Sequence, residues 1–246
     1  MKKYLENGFS ILPFILGLIS PFAHADIVIS GTRVIYPEGQ KNVSVRLENK
    51  GASPLLVQNW LDTGDDNADP GTIKVPFIST PPVSRIESKQ GQTVKIMFTG
   101  STTLPNDKES VFWFNVLEVP PKIKDNEKNQ NLLQLAFRTR IKLFWRPQGL
   151  PGNPAEAPAK LKWKLENSQG HTIVRVTNPT VYHVSFNDAK LQANGRSYAI
   201  AATMAAPGVN TTFNIQGLSG TPAGAKIVYS TINDYGGISH GEARIN

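Results

Sequence analysis

Short strand-like runs of apolar and β-branched residues recur along the chain after residue 25, and helical periodicity is scarce, which predicts β-strands rather than helices. Candidate strands recur about every 8–12 residues with turn-forming residues between them, which is typical of an all-β sandwich. No capped apolar run of helical period follows residue 25. The first half has enough candidate strands for one immunoglobulin-like sandwich. They lie at residues 27–36, 42–48, 55–61, 72–78, 92–98, 110–119 and 132–145.

A segment rich in proline and glycine divides the chain. Residues 147–158 contain four prolines and two glycines, a composition that disfavours any regular element. Shorter candidate strands beyond it predict a second, smaller sandwich, at residues 161–165, 172–177, 181–188, 197–203, 210–215 and 225–232. We therefore expect an N-terminal domain at residues 26–147, a linker at 148–159 and a C-terminal domain at 160–246.

The N-terminus predicts a secretory signal peptide at residues 1–25. Lysines supply its positive end, an apolar stretch follows at residues 11–19, and Ala23-His24-Ala25 is a small-x-small cleavage site. A membrane anchor is the weaker alternative, because the apolar stretch is shorter than the roughly 20 residues that a span needs. Cleavage after Ala25 would make Asp26 the first residue of an exported chain.

Composition narrows the function classes. The chain has 26 basic and 19 acidic residues, a net charge of +7, but no sequence motif of a nucleic-acid-binding fold, so nucleic acid is not an expected partner. The absence of cysteine excludes disulfides, thiol catalysis and thiolate metal sites. The histidines after residue 25 have no ligand-like spacing, and no G-x-S-x-G elbow occurs. We expect no catalytic residue, no metal site and no cofactor, and therefore no enzyme.

Two acidic motifs near residue 65 carry little chemical information. Asp62-Thr63-Gly64 matches the triplet of aspartic proteases, but that chemistry needs two carboxylates that share a proton, and the chain has one copy. The acidic residues that follow have alternate oxygen ligands, as in an EF-hand loop. However, Pro70 occupies the position where that loop requires glycine. A strand end followed by a solvated hairpin tip is the better interpretation.

The segment at residues 131–147 is the strongest indication of function. It alternates Leu133, Leu135 and Phe137 with small or polar residues, which favours a strand longer than the usual roughly 5–6 residues. A long strand with large apolar side chains on one face is suited to pairing with another polypeptide by strand addition. The segment therefore indicates recognition of a protein partner.

Five charged residues are further candidates. Arg33 and Lys142 lie inside candidate strands, where a cation is usually an outward-facing surface residue. If the two strands converge on a cleft, the pair makes an anion site in which arginine grips a carboxylate through two bonds. Glu109, Arg146 and Asp234 could form an ion-pair cluster at a domain junction. The alternative is three independent exposed charges, worth about 0–1 kcal/mol per pair.

Short motifs occur in a fixed order along the chain. They are Thr32-Arg33-Val34, PLLVQNW at 54–60, TPPVSR at 80–85, LPNDKES at 104–110, FWFN at 112–115, VPP at 119–121, LQLA at 133–136, RIKLFWRP at 140–147, NPT at 178–180 and INDYGG at 232–237. Together they resemble the PapD-like periplasmic chaperones of the chaperone–usher pilus pathway. The resemblance spans the chain after residue 25 and is densest before the linker.

The resemblance implies two immunoglobulin-like β-sandwich domains, arranged as a boomerang with a cleft between them. It implies that Arg33 and Lys142 anchor the C-terminal carboxylate of a pilus subunit. It also implies that Leu133, Leu135 and Phe137 fill the groove of a subunit that lacks its own final strand. The chain would then be a chaperone that caps pilus subunits by donor-strand complementation and prevents their aggregation.

The resemblance further implies that Glu109, Arg146 and Asp234 form an interdomain ion-pair network. The implied partners are pilus subunits and an outer-membrane usher, in the periplasm and without membrane insertion. A further implied partner is a second copy of the chain, which could pair with the exposed donor strand when no subunit is bound. The connection at residues 122–131 is short. The chain therefore resembles the subgroup with a short loop before the last strand, which serves rod-like pili, more than the subgroup with a long loop.

Two other classes and one geometric question remain open. A secreted immunoglobulin-like adhesin or carbohydrate-binding module would explain the strands but not the ordered motifs. A pilus subunit would normally carry a cysteine pair and a penultimate tyrosine, and this sequence has neither. Lys142 has the opposite parity from Leu135 and Phe137, so a flat strand points it to the other face unless twist or a bulge intervenes.

Overall fold

The structure, a computed structural model, describes residues 26–122, 134–168, 171–218 and 220–245. Its first half is built from strands that alternate buried and exposed side chains. These strands are β1 (Ile27–Ile29), β2 (Arg33–Pro37), β3 (Val43–Asn49), β4 (Leu55–Asp62), β5 (Phe77–Thr80), β6 (Val83–Ile86), β7 (Gly91–Phe98), β8 (Ser110–Val119) and β9 (Phe137–Arg146).

These nine strands form two sheets that pack face to face. One sheet has the order β1-β3-β7-β5, and the other has the order β2-β9-β8-β4-β6. Large apolar side chains from both inner faces fill the space between them, and Tyr36, Leu47, Ile96, Phe114 and Leu143 are almost completely buried. The predicted all-β sandwich is confirmed for this half of the chain.

The predicted strand at residues 27–36 is two strands, one in each sheet. Gly31 lies between them with a φ of +93°, a left-handed conformation that side chains other than glycine rarely adopt. β1 pairs with β3, whereas β2 crosses to the other sheet and runs parallel to β9. The crossing matters because it brings Arg33, the first residue of β2, beside the last strand of the N-terminal sandwich.

The second half forms a separate sandwich. A 3-10 helix at Pro154–Lys160 leads into it, and the Oδ1 of Asn153 caps that helix by accepting the amide of Ala155 at 2.9 Å. The strands that follow are β10 (Lys162–Ser168), β11 (His171–Thr177), β12 (Val184–Ala193), β13 (Arg196–Ala199), β14 (Met204–Ala205), β15 (Asn210–Asn214), β16 (Lys226–Ile232) and β17 (Ile238–Arg244).

The C-terminal sandwich pairs a sheet of order β10-β11-β15 with one of order β13-β12-β16-β17, and β14 also pairs with β12. Its core centres on the rings of Trp163, Phe186 and Tyr229, and the first and last of these centroids are 5.2 Å apart. β17 was not predicted from the sequence, because its exposed side chains give no apolar alternation. Within the described residues, no helix is long and apolar enough to cross a membrane.

Candidate functional site

Arg33 and Lys142 meet at the cleft between the two sandwiches. They are Cα partners in the parallel ladder of β2 and β9. Because partners in adjacent strands project to the same side of a sheet, both cations leave the N-terminal sheet on one face. The sequence predicted that these two residues form a pair if their strands converge, and the crossing of the chain at Gly31 brings the two strands together.

Arg33 reaches across the cleft to the C-terminal sandwich. Its Nη1 donates to the carbonyl oxygen of Ile232 at 2.7 Å, and its guanidinium carbon lies 5.6 Å from the ring centroid of Phe144. Among the described residues its Nε is buried without a hydrogen-bond partner. Burial lowers the pKa of Arg33, while the charges of Asp234 and Glu109 act in the opposite direction. The guanidinium therefore stays charged and keeps donors for an added acceptor.

Lys142 lies deeper beside Arg33. Its Nζ is 3.5 Å from the Oγ of Ser185, which belongs to β12 of the C-terminal sandwich. Burial lowers the pKa of Lys142, and the neighbouring charge of Arg33 lowers it further. In the described part of the chain neither cation forms an ion pair with a carboxylate. Two neighbouring cations without a carboxylate at ion-pair distance make a site that an anion would stabilise.

The cleft holds a cavity of about 360 Å³ that Arg33 lines, whereas Lys142 is not one of its lining residues. Arg33 and Phe144 line it from the N-terminal sandwich, and Ser185 and Asp234 line it from the C-terminal sandwich. Tyr235 stands at its rim in the β16–β17 turn, and its side chain is 97% exposed. The cavity is therefore lined by both charged and aromatic groups, with the exposed ring of Tyr235 at its edge.

Glu109, Arg146 and Asp234 form a connected ion-pair cluster at the junction of the sandwiches. Arg146 Nε donates to Glu109 Oε1 at 2.7 Å, and its two terminal nitrogens grip both oxygens of Asp234 at 2.6 and 3.0 Å. Burial alone lowers the pKa of Arg146, but the bonds and charges of the two carboxylates outweigh it and raise that pKa. Since Asp234 lies in the turn between β16 and β17, the cluster ties the two sandwiches together.

His183 belongs to the same junction, although the sequence pattern gave no indication of it. Its amide donates to Glu109 Oε2 at 2.8 Å, and its imidazole Nδ1 is 3.4 Å from the same oxygen without hydrogen-bond geometry. The His183 side chain is 5% exposed, and its ring packs against that of Phe144 in a tilted arrangement with the centroids 5.5 Å apart. The amide of Glu109 donates in turn to the carbonyl of Val181 at 2.9 Å. Glu109 is thus the centre of the junction.

The edge of β9 is only partly paired. β2 covers β9 from Lys142 onward, and β8 pairs with the other side of β9 along its whole length. Within the described residues no strand pairs with residues 137–141 on the β2 side. Leu135, just before the strand, is 51% exposed, and Phe137, its first residue, is 37% exposed. The predicted Leu133 lies outside the described residues.

The β8–β9 ladder answers the question of strand parity. Its register runs from Glu118–Phe137 to Ser110–Trp145 without a shift, so β9 contains no bulge. Odd positions such as Leu143 therefore face the sandwich core, and the exposed Leu135 and Phe137 continue that face beyond the core. Even positions lie on the opposite face of the sheet, where Lys142 lies beside Ser185 of the C-terminal sandwich. The apolar and cationic groups thus occupy opposite faces of one strand.

Asp62 forms a second polar cluster on the even face of β9. Its carboxylate is buried and accepts from Arg140 Nη2 at 2.7 Å and from Asn115 Nδ2 at 2.7 Å. Arg138 donates to Asn115 Oδ1 at 2.8 Å and stacks 5.0 Å from the ring of Trp60. The aspartate of the triplet that resembled a protease site therefore holds neighbouring side chains in place. It fixes two even-numbered side chains of the half-paired strand.

Two sandwiches, an ion-paired junction and a half-open strand beside a cationic cleft define the class of the protein: a two-domain immunoglobulin-like chain. Residues 26–151 match the family described as "Pili and flagellar-assembly chaperone, PapD N-terminal domain". Residues 156–243 match "Pili assembly chaperone PapD, C-terminal domain". The protein therefore belongs to the PapD-like pilus-assembly chaperones.

Individual relatives agree with this assignment. The chain is 62% identical over 223 residues to the probable fimbrial chaperone YadV of Escherichia coli (strain K12), which covers 90% of each chain. The crystal structure of the YadV chaperone superimposes with a TM-score of 0.78, at 57% identity, over 89% of this chain and 100% of that chain. The SafB chaperone of Salmonella enterica, solved in complex with the SafA pilin, is similar with a TM-score of 0.73. That match has 25% identity over 91% of this chain and 98% of the other.

Proposed function

We propose that this chain is a periplasmic chaperone that binds pilus subunits by lending them β9, and then delivers them to an outer-membrane usher. The observation that carries the proposal is the half-open edge of β9. Exposed Leu135 and Phe137 lie at the start of this edge, and Arg33 and Lys142, which form no ion pair among the described residues, lie where β2 begins to cover it. A free edge of this kind is suited to adding a strand from another polypeptide. A subunit that lacks one strand presents the complementary groove and unpaired backbone groups.

The apolar contribution comes from the odd face of the strand. Leu135 and Phe137 would enter the groove of the subunit, and Leu133 would extend the same row by one position. Each large side chain contributes about 1.5–3 kcal/mol when fully buried, before the cost of ordering both chains. Backbone hydrogen bonds along residues 137–141 would supply the register.

The polar contribution comes from the cleft. The C-terminal carboxylate of the subunit would accept from the guanidinium of Arg33 and from the ammonium of Lys142, which supply charge-assisted bonds. β2 begins at Arg33, so a strand added beside residues 137–141, on the edge that β2 leaves free, would end close to both cations. Leu135 and Phe137 lie on the opposite face of the strand from Lys142, so the subunit groove and the carboxylate of its chain end would contact different faces. The strand would lie along the edge while its terminal carboxylate turns into the cleft.

Three finer points belong to the same proposal. Residues 26–147 and 160–246 would be the domains and residues 148–159 the linker, which is supported by the separate cores on either side. The chain would be exported and cleaved after Ala25. The chain would belong to the short-loop subgroup, because the connection at residues 122–131, most of which lies outside the described residues, is short. Release to the usher would need no nucleotide, because the subunit exchanges one strand for a better-packed one.

Copurification from periplasm would test the proposal most directly. A tagged form of the chain would be expressed together with its pilus genes, and the bound chains would be identified by mass spectrometry. We expect pilus subunits in complexes that contain one chaperone per subunit. Capture of only a second copy of the chain would show self-association through the open edge instead. Absence of any subunit would contradict the proposed function.

Synthetic peptides would test the anchoring step. A peptide with the C-terminal sequence of a captured subunit would be compared as the free acid and as the amide. Loss of a charge-assisted bond typically costs about 1.5–3 kcal/mol, so the amide should bind roughly 10–100-fold more weakly. Equal binding of the two peptides would remove the carboxylate from the mechanism and leave strand addition untouched.

A further inference from the structure

Glu118 is a buried carboxylate with no part in the proposed capture of subunits. It lies near the end of β8, is 3% exposed, and its Oε2 accepts the amides of Asp26 and Ile27 at 3.0 Å each. Its other oxygen, Oε1, is buried without a hydrogen-bond partner among the described residues. An unpaired oxygen on a buried carboxylate is costly, so this site is suited to one more donor.

Asp26 is held firmly against this carboxylate. Its carbonyl oxygen accepts the amide of Lys50 at 2.7 Å, and the next residue, Ile27, pairs with Asn49 in the β1–β3 ladder. Its side chain packs so closely on Gly51 that a Cβ there would collide with the Asp26 carboxylate. The nitrogen of Asp26 is therefore fixed at hydrogen-bond distance from a buried negative charge.

We propose that Glu118 is the binding site for the α-ammonium group of Asp26, which is created when residues 1–25 are removed. The inference rests on the cleavage position given under the proposed function. A signal peptidase would hydrolyse the amide bond between the carbonyl carbon of Ala25 and the nitrogen of Asp26. Water supplies the oxygen of the departing carboxylate, and the released amine is protonated at neutral pH.

The chemistry of the new terminus matches what Glu118 lacks. A backbone amide offers one N–H and no net charge, whereas an α-ammonium offers three N–H donors and a positive charge. One donor can keep the bond to Oε2 while another reaches Oε1. Burial raises the pKa of Glu118, and the two amide bonds only partly oppose this shift. The side-chain carboxylate of Asp26 is the other charged group nearby, and it raises the pKa of Glu118 further.

The geometry makes the site specific for one cleavage position. A chain that keeps even one residue before Asp26 has a neutral amide at this nitrogen, and its ammonium lies further away. Correct cleavage would therefore attach β1 to β8 through an ion pair, and β8 is the strand that pairs with all of β9. The folded domain would gain this stabilisation only after export and processing.

The test compares two N-termini of the periplasmic protein. One is the natural product, and the other carries one alanine inserted before Asp26, each with Glu118 or with Glu118→Gln. Intact mass first establishes where each chain begins. The rate at which an activated ester acylates the α-amine at pH 7 is then measured. We expect the Asp26 terminus to react at least tenfold more slowly than the extended terminus, and Glu118→Gln to remove most of that difference.

A second measurement requires no Glu118 variant, in case that variant fails to fold. The pKa of the α-amine would be titrated in the natural and the alanine-extended proteins, and we expect it to be higher in the natural protein by at least about one unit. Equal pKa values and equal acylation rates would overturn the inference. A mass that shows cleavage elsewhere would refute only the cleavage position. In that case an Asp26 terminus would be released by a specific protease from a tagged chain and tested identically.

Discussion

Arg33 and Lys142 are direct partners in the parallel β2–β9 ladder, and each is restrained by the opposite sandwich. The carbonyl of Ile232 holds Arg33, and the hydroxyl of Ser185 lies beside Lys142. Two adjacent strands are about 4.8 Å apart, so the cations repel one another at short range. In the proposed complex, a bound carboxylate would relieve this repulsion.

Lys142→Ala is the cleaner of two tests of the anchor. Lys142 makes one long polar contact, so its removal should leave the fold intact and should not lower the thermal midpoint of the free protein. Subunit affinity should fall roughly 10–100-fold, because a charge-assisted bond to the bound carboxylate is lost. Pull-down from periplasm and calorimetry with the free-acid peptide would measure both effects.

Arg33→Ala should also abolish stable subunit complexes, but it removes a contact between the sandwiches as well. Arg33→Lys is a useful companion, since it keeps the charge and loses the planar fork. Arg196→Ala and Lys162→Ala serve as controls, because both residues are exposed cations that do not line the cleft cavity. If both anchor variants capture subunits as well as these controls do, the assignment is wrong.

The buried position of Lys142 predicts a pH signature. Its pKa in the folded protein is lower than the value of 10.5 for an unperturbed lysine, so the unfolded chain binds more protons between those two values. The free energy of unfolding should therefore gain a positive contribution as pH rises through that window. Lys142→Ala should lack this contribution. The free energy of unfolding of both proteins would be measured by chemical denaturation from pH 7 to 10.5. The difference between the two proteins is the informative quantity, because tyrosines with raised pKa values, such as Tyr229, contribute equally to both and cancel.

The open edge of β9 predicts a dependence on strand face. Leu135→Glu should block capture of subunits, because a carboxylate would be desolvated in the groove without a partner. Gln134→Glu should have little effect, since Gln134 is exposed and loses at most its bond to the carbonyl of Pro121. Survival of subunits in periplasm would be compared for the two variants. Equal tolerance would mean that the odd face does not enter the groove.

Much of the fold and of the candidate site could be predicted from the sequence, because the apolar–polar alternation of strands and the choice of turn residues depend on local chemistry. The two sandwiches, the apolar row around Leu135 and the charged residues at the junction follow from pattern and from ordered motifs. The break at Gly31 was not predicted, since β-branched residues on both sides favour one continuous strand. β17 was missed because an edge strand with exposed side chains needs no apolar period.

Residues that act through long-range contacts were the hardest to predict. His183 joins the junction only because Glu109 accepts its amide from across the domain boundary. Asp62 resembled a catalytic triplet, while its partner Arg140 lies far away in the sequence. Glu118 carries no motif, and its importance arises from an unpaired oxygen beside the Asp26 amide. Spacing along the chain contains no information of this kind.

The Asp62 cluster predicts a stability effect on the donor strand. Asp62→Asn would leave Arg140 and Arg138 without their buried carboxylate and should lower the free energy of unfolding by about 3 kcal/mol. Asp66→Asn is the matched control, because Asp66 is exposed and lies 4.0 Å from the same Arg140. That exposed pair is worth about 0–1 kcal/mol. Hydrogen exchange of β9 amides should quicken in the first variant alone, and equal exchange in both would contradict a role in holding the strand.

The junction predicts an effect on domain geometry rather than on subunit contact. Asp234→Asn removes the carboxylate that both terminal nitrogens of Arg146 grip, while Glu109 still compensates the guanidinium. Because Asp234 is 29% exposed and Glu109 is 2% exposed, Glu109→Gln should be the more damaging change. We expect a loss of about 1–2 kcal/mol for Asp234→Asn. A wider spread of interdomain angles should accompany that loss.

Small-angle scattering and the thermal midpoint of the free protein would measure these two effects of Asp234→Asn. The control is Asp188→Asn, which removes an exposed partner of Lys190 on the C-terminal sandwich and should change neither. Asp234→Asn should weaken subunit binding only through the altered angle between the domains. The loss of affinity should therefore increase with the change in the scattering profile. If scattering and midpoint match the wild type while pilus assembly fails, Asp234 contacts a partner directly. The outer-membrane usher would then be the first partner to test.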